Sequence, residues 1–517
     1  MPRDITLELT PQESSSETAV KRIIASKLQL DAAEVAYIIL RKSIDARRGR
    51  VRVNLAVRVF EAGESVVADS PVFRYHDVSK ANPVVIVGAG PAGLFAALRL
   101  IELGYRPIIV ERGKPVSDRK RDIALLNREH RLNPDSNYAF GEGGAGTFSD
   151  GKLYTRSRKR GDFTRVLHAL HNHGAHEGIL YEAHPHIGTN KLPGVIVNIR
   201  KTILDCGGQI LFNARVDRIL LRNYAACGVR LSDGLPIEGE AVILATGHSA
   251  RDIYKTLIIQ GIRVEAKPFA MGVRVEHPQI LIDSIQYHGV SRGEYLPAAS
   301  YNLVHQGDGR GVYSFCMCPG GFIVPASTSP GEMVVNGMSP SGRNSRWANS
   351  GIVVEIRLED LSYYTDLGEL AGLEFQRQLE LLAGQQGTHG VMAPAQRLAD
   401  FVDGRFSSTL PPCSYHPGLN SSAMHEWLPA NISKRLRLGF KEFGRRMRGF
   451  LTNEAVILGV ESRTSSPIRI PRDPETLQHV QIRGLFPAGE GAGYAGGIVS
   501  SAVDGERCAE AVAGYLG

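Results

Sequence analysis

Residues 83–111 read PVVIVGAGPAGLFAALRLIELGYRPIIVE, and this stretch decides the fold. An apolar run, Pro83–Val87, leads into Gly88-Ala-Gly90-Pro91-Ala92-Gly93, and helix-like spacing follows over 94–103. Gly88 permits the tight turn out of the strand, and Gly90 lets a pyrophosphate approach the backbone. Gly93 lets the helix pack closely on the sheet, with its amide-rich N-terminus facing the phosphates. A second apolar run, Arg106–Val110, ends in Glu111, placed to accept the hydroxyls of an adenosine ribose. A lone GxGxxG is weak, because glycines also mark ordinary turns. Strand, loop, helix, second strand and acid in register predict a dinucleotide-binding βαβ unit.

Two later segments narrow the ligand. Residues 240–244 form a short apolar run ending in Ala245-Thr246-Gly247, and 484–491 read GLFPAGEG before a helix-like 498–513. These three motifs in this order resemble FAD-binding flavoproteins of the glutathione-reductase and p-hydroxybenzoate-hydroxylase type. That resemblance implies a Rossmann-like domain with a β-meander, closed by the ATG turn. It also implies that Gly489 and Glu490 reach the ribityl chain, where most relatives carry Asp, and that Gly497 and Ile498 open a helix toward the flavin pyrimidine. Further strings resemble the uncharacterised FAD-dependent dehydrogenases of bacterial type: FGEGGAGTFSDGKL (140–153), EAHPHIGTNKL (182–192), ATGHSARD (245–252), KPFAMGVRVEHPQ (267–279), FCMCPGG (315–321) and ESRTSSPIRIPRD (461–473). The implied cofactor is FAD. Its expected contacts are Gly88, Gly90, Pro91, Ala92, Gly93, Glu111, Arg112, Gly143, Gly144, Ala145, Gly146, Thr147, Val216, Ala245, Thr246, Gly247, Gly489, Glu490, Gly497 and Ile498.

A length of 517 residues calls for two or three domains, and 43% hydrophobic with 22% charged residues is a globular balance. The expected division is an α+β unit over 1–75, a cofactor domain over 83–255, an inserted sheet-rich substrate domain over 256–454, and a cofactor-domain return over 455–517. The N-terminal unit reads as strand 5–9, helix 16–28, and strands 35–40 and 51–60. The start of the chain lacks an apolar targeting core, no apolar run reaches spanning length, and six scattered cysteines fit a reducing cytoplasm. A formal charge of +7 favours phosphate-bearing ligands without marking a nucleic-acid binder.

The Gly-rich loop at 140–147 suits backbone approach to a flat ring, with Glu142 and Lys152 as possible neighbours. His186 has the pKa range of a proton partner, and Arg251 and Arg463 flank motifs expected at the flavin, so the three form the expected catalytic set for an anionic substrate. Packed histidines and surface arginines are the structural alternatives. His168, His171, His173 and His176 lack the ligands that complete a metal site, and no metal is expected. Cys316-Met-Cys318 lacks a disulfide-reductase spacing and reads as two strand cysteines. Arg274 and Glu276 share a strand face, as a salt-bridged pair would.

Basic residues over 434–448, and Arg41, Lys42, Arg47, Arg48 and Arg50, offer phosphate-binding faces that are more commonly solvated. The expected activity is hydride transfer between an organic substrate and FAD, with NAD(P)H, if used, as a transient visitor. A flavin monooxygenase, an RNA-modifying flavoprotein and a non-catalytic redox sensor are the alternatives. Substrate and oligomeric state are not written in these motifs.

Overall fold

A computed structural model of the chain describes residues 2–47, 49–60, 64, 70–154 and 161–517. Its cofactor layer is a five-stranded parallel sheet in the order Leu485–Pro487, Ala241–Leu244, Pro83–Val87, Arg106–Val110, Gln209–Leu211. Strands buried on both faces need no polar alternation, which is why the inner segments Ala241–Leu244, Pro83–Val87 and Arg106–Val110 read as apolar runs. Val84, Ile86 and Ile243 pack into the core shared with helices Pro91–Glu102 and Ile498–Leu516. Val85, Val87, Val242 and Leu244 face the other way, onto a meander of Val216–Arg222, Ala225–Leu231 and Pro236–Glu238. The fold is therefore α/β with a Rossmann-like sheet and the expected meander.

The second sheet has seven strands, in the order Val304–Gly307, Arg310–Cys318, Trp347–Ile356, Phe269–Pro278, Val456–Glu461, Ala393–Arg397, Leu419–Ser421. Its pairings are antiparallel except the last. Val456–Glu461 pairs with Phe269–Pro278, so the inserted layer runs past the expected boundary at 454/455. The crossing point is the short antiparallel pair of Glu265–Ala266 and Ile468–Arg469. The boundary was misplaced because an apolar strand carries no mark of the sheet it will join.

At the N-terminus, Arg3–Leu9, Arg52–Phe60 and Ala36–Asp45 form an antiparallel sheet with Arg52–Phe60 in the middle. Helix Glu17–Leu28 closes it through Val20 and Ile24, giving this unit a core of its own with Leu7, Leu9, Leu55 and Val57. Its edge strand reaches the rest of the chain: the Lys42 amide donates to Tyr181 O at 2.8 Å, and the Ala183 amide donates to Lys42 O at 2.9 Å. Arg48 lies outside the described residues.

The basic helix Ala430–Arg446 buries Leu436, Phe440 and Phe443 and ties up much of its charge within the chain. Arg445 and Arg446 pair with Glu442, Lys434 with Asp308, and Arg437 donates to Val402 O. No helix among the described residues is long and apolar enough to cross a membrane.

Candidate active site

The glycines of the first motif do different jobs. Gly88 has φ +105°, and a Cβ there would lie 2.5 Å from Ala245 O. A Cβ on Gly93 would lie 1.9 Å from Gly88 O, so this glycine serves helix–loop contact and faces no cavity. Gly90 is different: its nearest neighbour on the Cβ side is Gly144 Cα at 3.9 Å. It caps helix Pro91–Glu102 with no side-chain acceptor, leaving a cradle and free helix-end amides for an anion.

Glu111, nearly fully buried, does more than await a ribose. One carboxylate oxygen accepts from the Ala89 amide at 2.9 Å, and the other from Gly113 and Gly141 at 2.9 and 3.0 Å. The acid thus knits the dinucleotide loop to the Gly-rich loop while one side borders the cavity. Arg112 lies over the Phe140 ring at 4.2 Å and bridges Asp135 and Asp252.

The Gly-rich loop is held from beneath. Arg119, fully buried, donates to the carbonyls of Asn137, Tyr138, Gly141 and Glu142. Glu142 accepts from the Val116 amide at 2.8 Å and from Arg200 at 3.0 Å, so it braces the loop and stays out of the cavity. The Gly143 amide donates to Ala89 O at 2.8 Å, and Thr147 Oγ1 donates to Glu142 O at 2.8 Å. Gly143 and Thr147 therefore shape the loop, and Gly144, Ala145 and Gly146 present its face. The expected cofactor contacts line one cavity except Gly93, Gly143 and Thr147, which pack behind it.

The ATG turn and the late element meet directly, since a Cβ on Gly491 would sit 2.6 Å from Gly247 O. Buried Tyr254 donates to Gly491 O at 2.7 Å. His248 Nδ1 lies 3.3 Å from Glu490 Oε2. Burial opposes the Glu490 charge, but the His248 hydrogen bond and charge outweigh it and hold this carboxyl below its usual range. The Gly489 amide donates to Asp504 at 2.8 Å, and Arg472 pairs with the same Asp504, which anchors the turn on the C-terminal helix.

The cavity holds about 400 Å³ and runs from Glu111 past Gly90 and Gly144 to a wall supplied by the inserted sheet. That wall includes Phe315 and Cys316 of this sheet, Val324 and Asn336 of the separate pair Phe322–Pro325 and Val335–Met338, and Arg463, faced by Asp150, Lys152 and Tyr154 from the chain after the Gly-rich loop. Lys152 Nζ lies 3.6 Å from Cys316 Sγ, 3.7 Å from Cys318 Sγ and 3.6 Å from Asp150. Burial works against this ammonium, but the two sulfurs and Asp150 prevail and raise its pKa.

The expected catalytic set does not assemble. Arg463 borders the cavity, but its guanidinium is bound by Glu332 and Glu380, each at 2.9 Å, and by Thr328 at 2.7 Å. Arg251 turns away from the cavity to Glu380 at 2.8 Å and Glu332 at 3.3 Å. Two carboxylates neutralise two arginines, which leaves no clamp for an anion. His186 sits behind the wall and donates Nε2–H to Ser341 O at 3.1 Å, while burial, then Arg343, lower its pKa. Arg274 pairs with Glu461 at 2.7 Å on the neighbouring strand, and Glu276 instead accepts from Ser414, which corrects the same-strand pair. Sequence reasoning read Cys316 as a strand cysteine and did not foresee its contact with Lys152, which is 164 positions away with no local pattern to link them.

This cavity fits a dinucleotide: a backbone cradle at Gly90, an acid at one end, and a volume within the range of about 300–1,000 Å³ usual for ligand sites. Two family models agree. Residues 81–128 match the family described as FAD binding domain, 268–464 match FAD-dependent protein, C-terminal domain-like, and 1–60 match a domain of unknown function. An uncharacterized protein of Clostridium beijerinckii is 40% identical over 517 residues, with 95% of each chain covered. A thiamine thiazole synthase of Aeropyrum pernix is 28% identical over 184 residues, covering 33% of this chain and 56% of that one. Among solved structures, quinol fumarate reductase FrdA of E. coli has 14% identity and a TM-score of 0.36, covering 84% of this chain and 71% of that chain. The chain belongs to an uncharacterised family of FAD-dependent oxidoreductases, with FAD as its cofactor.

Proposed function

We propose that this protein is a dehydrogenase- or reductase-like flavoenzyme that exchanges a hydride with an organic substrate between the Gly-rich loop and the inserted sheet. The observation that carries this reading is the single cavity joining the nucleotide cradle at Gly90 to the wall at Cys316. Bound FAD would supply hydride exchange at its flavin ring. Gly88, Gly90 and the helix amides after Pro91 would hold the phosphates, Glu111 the ribose, and Glu490 the ribityl chain. Gly144, Ala145 and Gly146 would let the ring approach the backbone, and the amides after Gly497 would face its negative charge when reduced.

Apolar groups at Phe148, Phe315 and Val324 line that end, and Lys152 offers it a cation. A nicotinamide cofactor, if it serves, enters this same space and leaves again. The arginine-clamped anion is not retained, because Glu332 and Glu380 already occupy both guanidinium groups.

Anaerobic titration of the purified yellow protein with NADH, NADPH and a metabolite panel tests the reading. Bleaching of the flavin absorbance by one donor, and its return on adding a second metabolite, is the expected result. A protein that releases no FAD on denaturation, or whose flavin no metabolite reduces or reoxidises, overturns it.

A further inference from the structure

Strand Arg310–Cys318 brings a thiol to the cavity at a flaw in its sheet. The register against Trp347–Ile356 breaks between Phe315 and Cys318. At the break Cys316 has φ +46°, a left-handed conformation that residues with a Cβ seldom adopt and that clusters at functional sites. Cys316 borders the cavity there, half-buried, whereas Cys318 is fully buried. Arg274 secures the kink by donating to Cys316 O at 2.8 Å, and it lies 3.5 Å from Cys318 Sγ.

The charges around Cys316 do not balance without it. Arg274 is paired with Glu461 at 2.7 Å, and Arg343 with Asp150 at 2.7 Å. Burial, then Arg343, push the His186 pKa below its ordinary value, which disfavours a charge there. Lys152 remains, a third cation whose nearest neighbours are the two sulfurs and the already paired Asp150. Lys152 borders the cavity with about two-thirds of its side chain covered, so its ammonium favours an anion beside it. Of the two sulfurs, the one facing the cavity is placed to be that anion. Cys318 keeps its proton, donating it to Cys316 O at 3.3 Å. Its closeness, with Lys152 and Arg274, pulls the Cys316 thiol well below its ordinary range against burial and Asp150. Cys318 moves the opposite way, raised by its neighbour Cys316 and by burial.

We propose that Cys316 is a nucleophilic thiolate at the substrate end of the flavin cavity, with Lys152 as counter-cation and Cys318 as proton-holding partner. The substrates it selects carry a C=C bond conjugated to a carbonyl: the sulfur lone pair forms an S–C bond as the π pair shifts onto the carbonyl oxygen, and return of that pair expels the thiolate again. The substrate class rests on the flavin-site reading above, while the thiolate itself rests only on the side chains around it.

Iodoacetamide is the probe: the sulfur lone pair forms an S–C bond, and iodide leaves with the electrons of the broken C–I bond. FAD-loaded protein is treated over a range of pH, and each cysteine is followed by peptide mass spectrometry. Cys316 is expected to react about tenfold or more faster than partly exposed Cys227 near pH 6, where an ordinary thiol of pKa about 8.5 is mostly protonated. Lys152→Met should slow Cys316 about tenfold at that pH, one unit of pKa, and Lys152→Arg should keep the fast reaction. Should Lys152→Met fail to fold, the wild-type profile and Lys152→Arg still decide. Cys316 labelling in step with Cys227, or staying unlabelled while its peptide is recovered, overturns the proposal. Flavin absorbance of the same samples separates the two readings: fast labelling without flavin sinks the cofactor site alone, and flavin with an ordinary thiol sinks the thiolate alone.

Discussion

Ala92 and Gly505 meet with no side chain between them, since a Cβ on Gly505 would lie 2.0 Å from Ala92 O. The helix that opens at the dinucleotide loop and the C-terminal helix therefore lie backbone against backbone. Gly505 is mid-helix, where glycine costs about 1 kcal/mol relative to alanine. That cost is accepted because the contact sets the angle between two helix ends that both face the cavity. Gly505→Ala is expected to lower stability by about 1–3 kcal/mol, as overpacking does, and to reduce FAD content because Ala92 borders the cavity. Urea unfolding of the holoprotein checks this. A midpoint equal to or above wild type would mean that the helices separate at no cost.

Gly90→Val makes the contrasting case. Only Gly144 Cα, at 3.9 Å, lies near the site of a Cβ, and Gly90 has an extended backbone with φ −78°, open to any residue. The variant should therefore keep its secondary structure and lose its colour, because the new methyl groups fill the space of the pyrophosphate. Circular dichroism and flavin absorbance on one preparation read both halves. Retained flavin would remove Gly90 from the site.

Much of the cofactor half of the site was legible because its chemistry is local. Gly88, Gly90, Glu111 and the ATG turn each announce themselves within a few residues, and backbone geometry demands those residue types. The substrate half was not legible, for the opposite reason. Nothing near Arg251 or Arg463 foretells Glu332 and Glu380, which reach them from other elements and spend their charge. Nothing near Cys316 foretells Lys152. The inserted sheet brings these groups together through long-range pairing, and strand periodicity reports a buried face without naming what lies across it.

His277 gives the pH dependence a clear sign. It is fully buried against Phe450, with Nε2–H donating to Phe450 O at 2.8 Å. Burial pulls its pKa from 6.5 down to about 4, against that hydrogen bond. Between these values the unfolded chain binds the proton and the folded chain does not, so stability falls as pH falls through this window. The loss is about 3 kcal/mol by pH 4 for a group shifted this far. Glu276, which burial raises to about 7, contributes the opposite slope in wild type and variant alike. The difference between wild type and His277→Gln therefore isolates the imidazole. Denaturant unfolding of both at several pH values should show the gap narrowing as the solution is acidified. A constant gap would mean that His277 is protonated in the folded protein.

Arg251, Arg463, Glu332 and Glu380 make a final test, because their balance predicts a rescue as well as a loss. Arg251 donates to Glu380 at 2.8 Å and approaches Glu332 at 3.3 Å, and Arg463 bonds to both acids. Removing one guanidinium leaves two buried carboxylates facing a single cation. Breaking a buried pair in this way costs about 3–5 kcal/mol. Arg251→Ala should therefore lower stability by roughly that amount while the flavin spectrum stays unchanged, since the side chain lies outside the cavity. Glu332→Gln, combined with Arg251→Ala, restores one cation to one anion and should recover part of the loss. Unfolding free energies of the two single variants and the double variant form the cycle that measures the coupling. Were Arg251 a substrate clamp, its removal would instead raise KM with stability unchanged, and Glu332→Gln would rescue nothing.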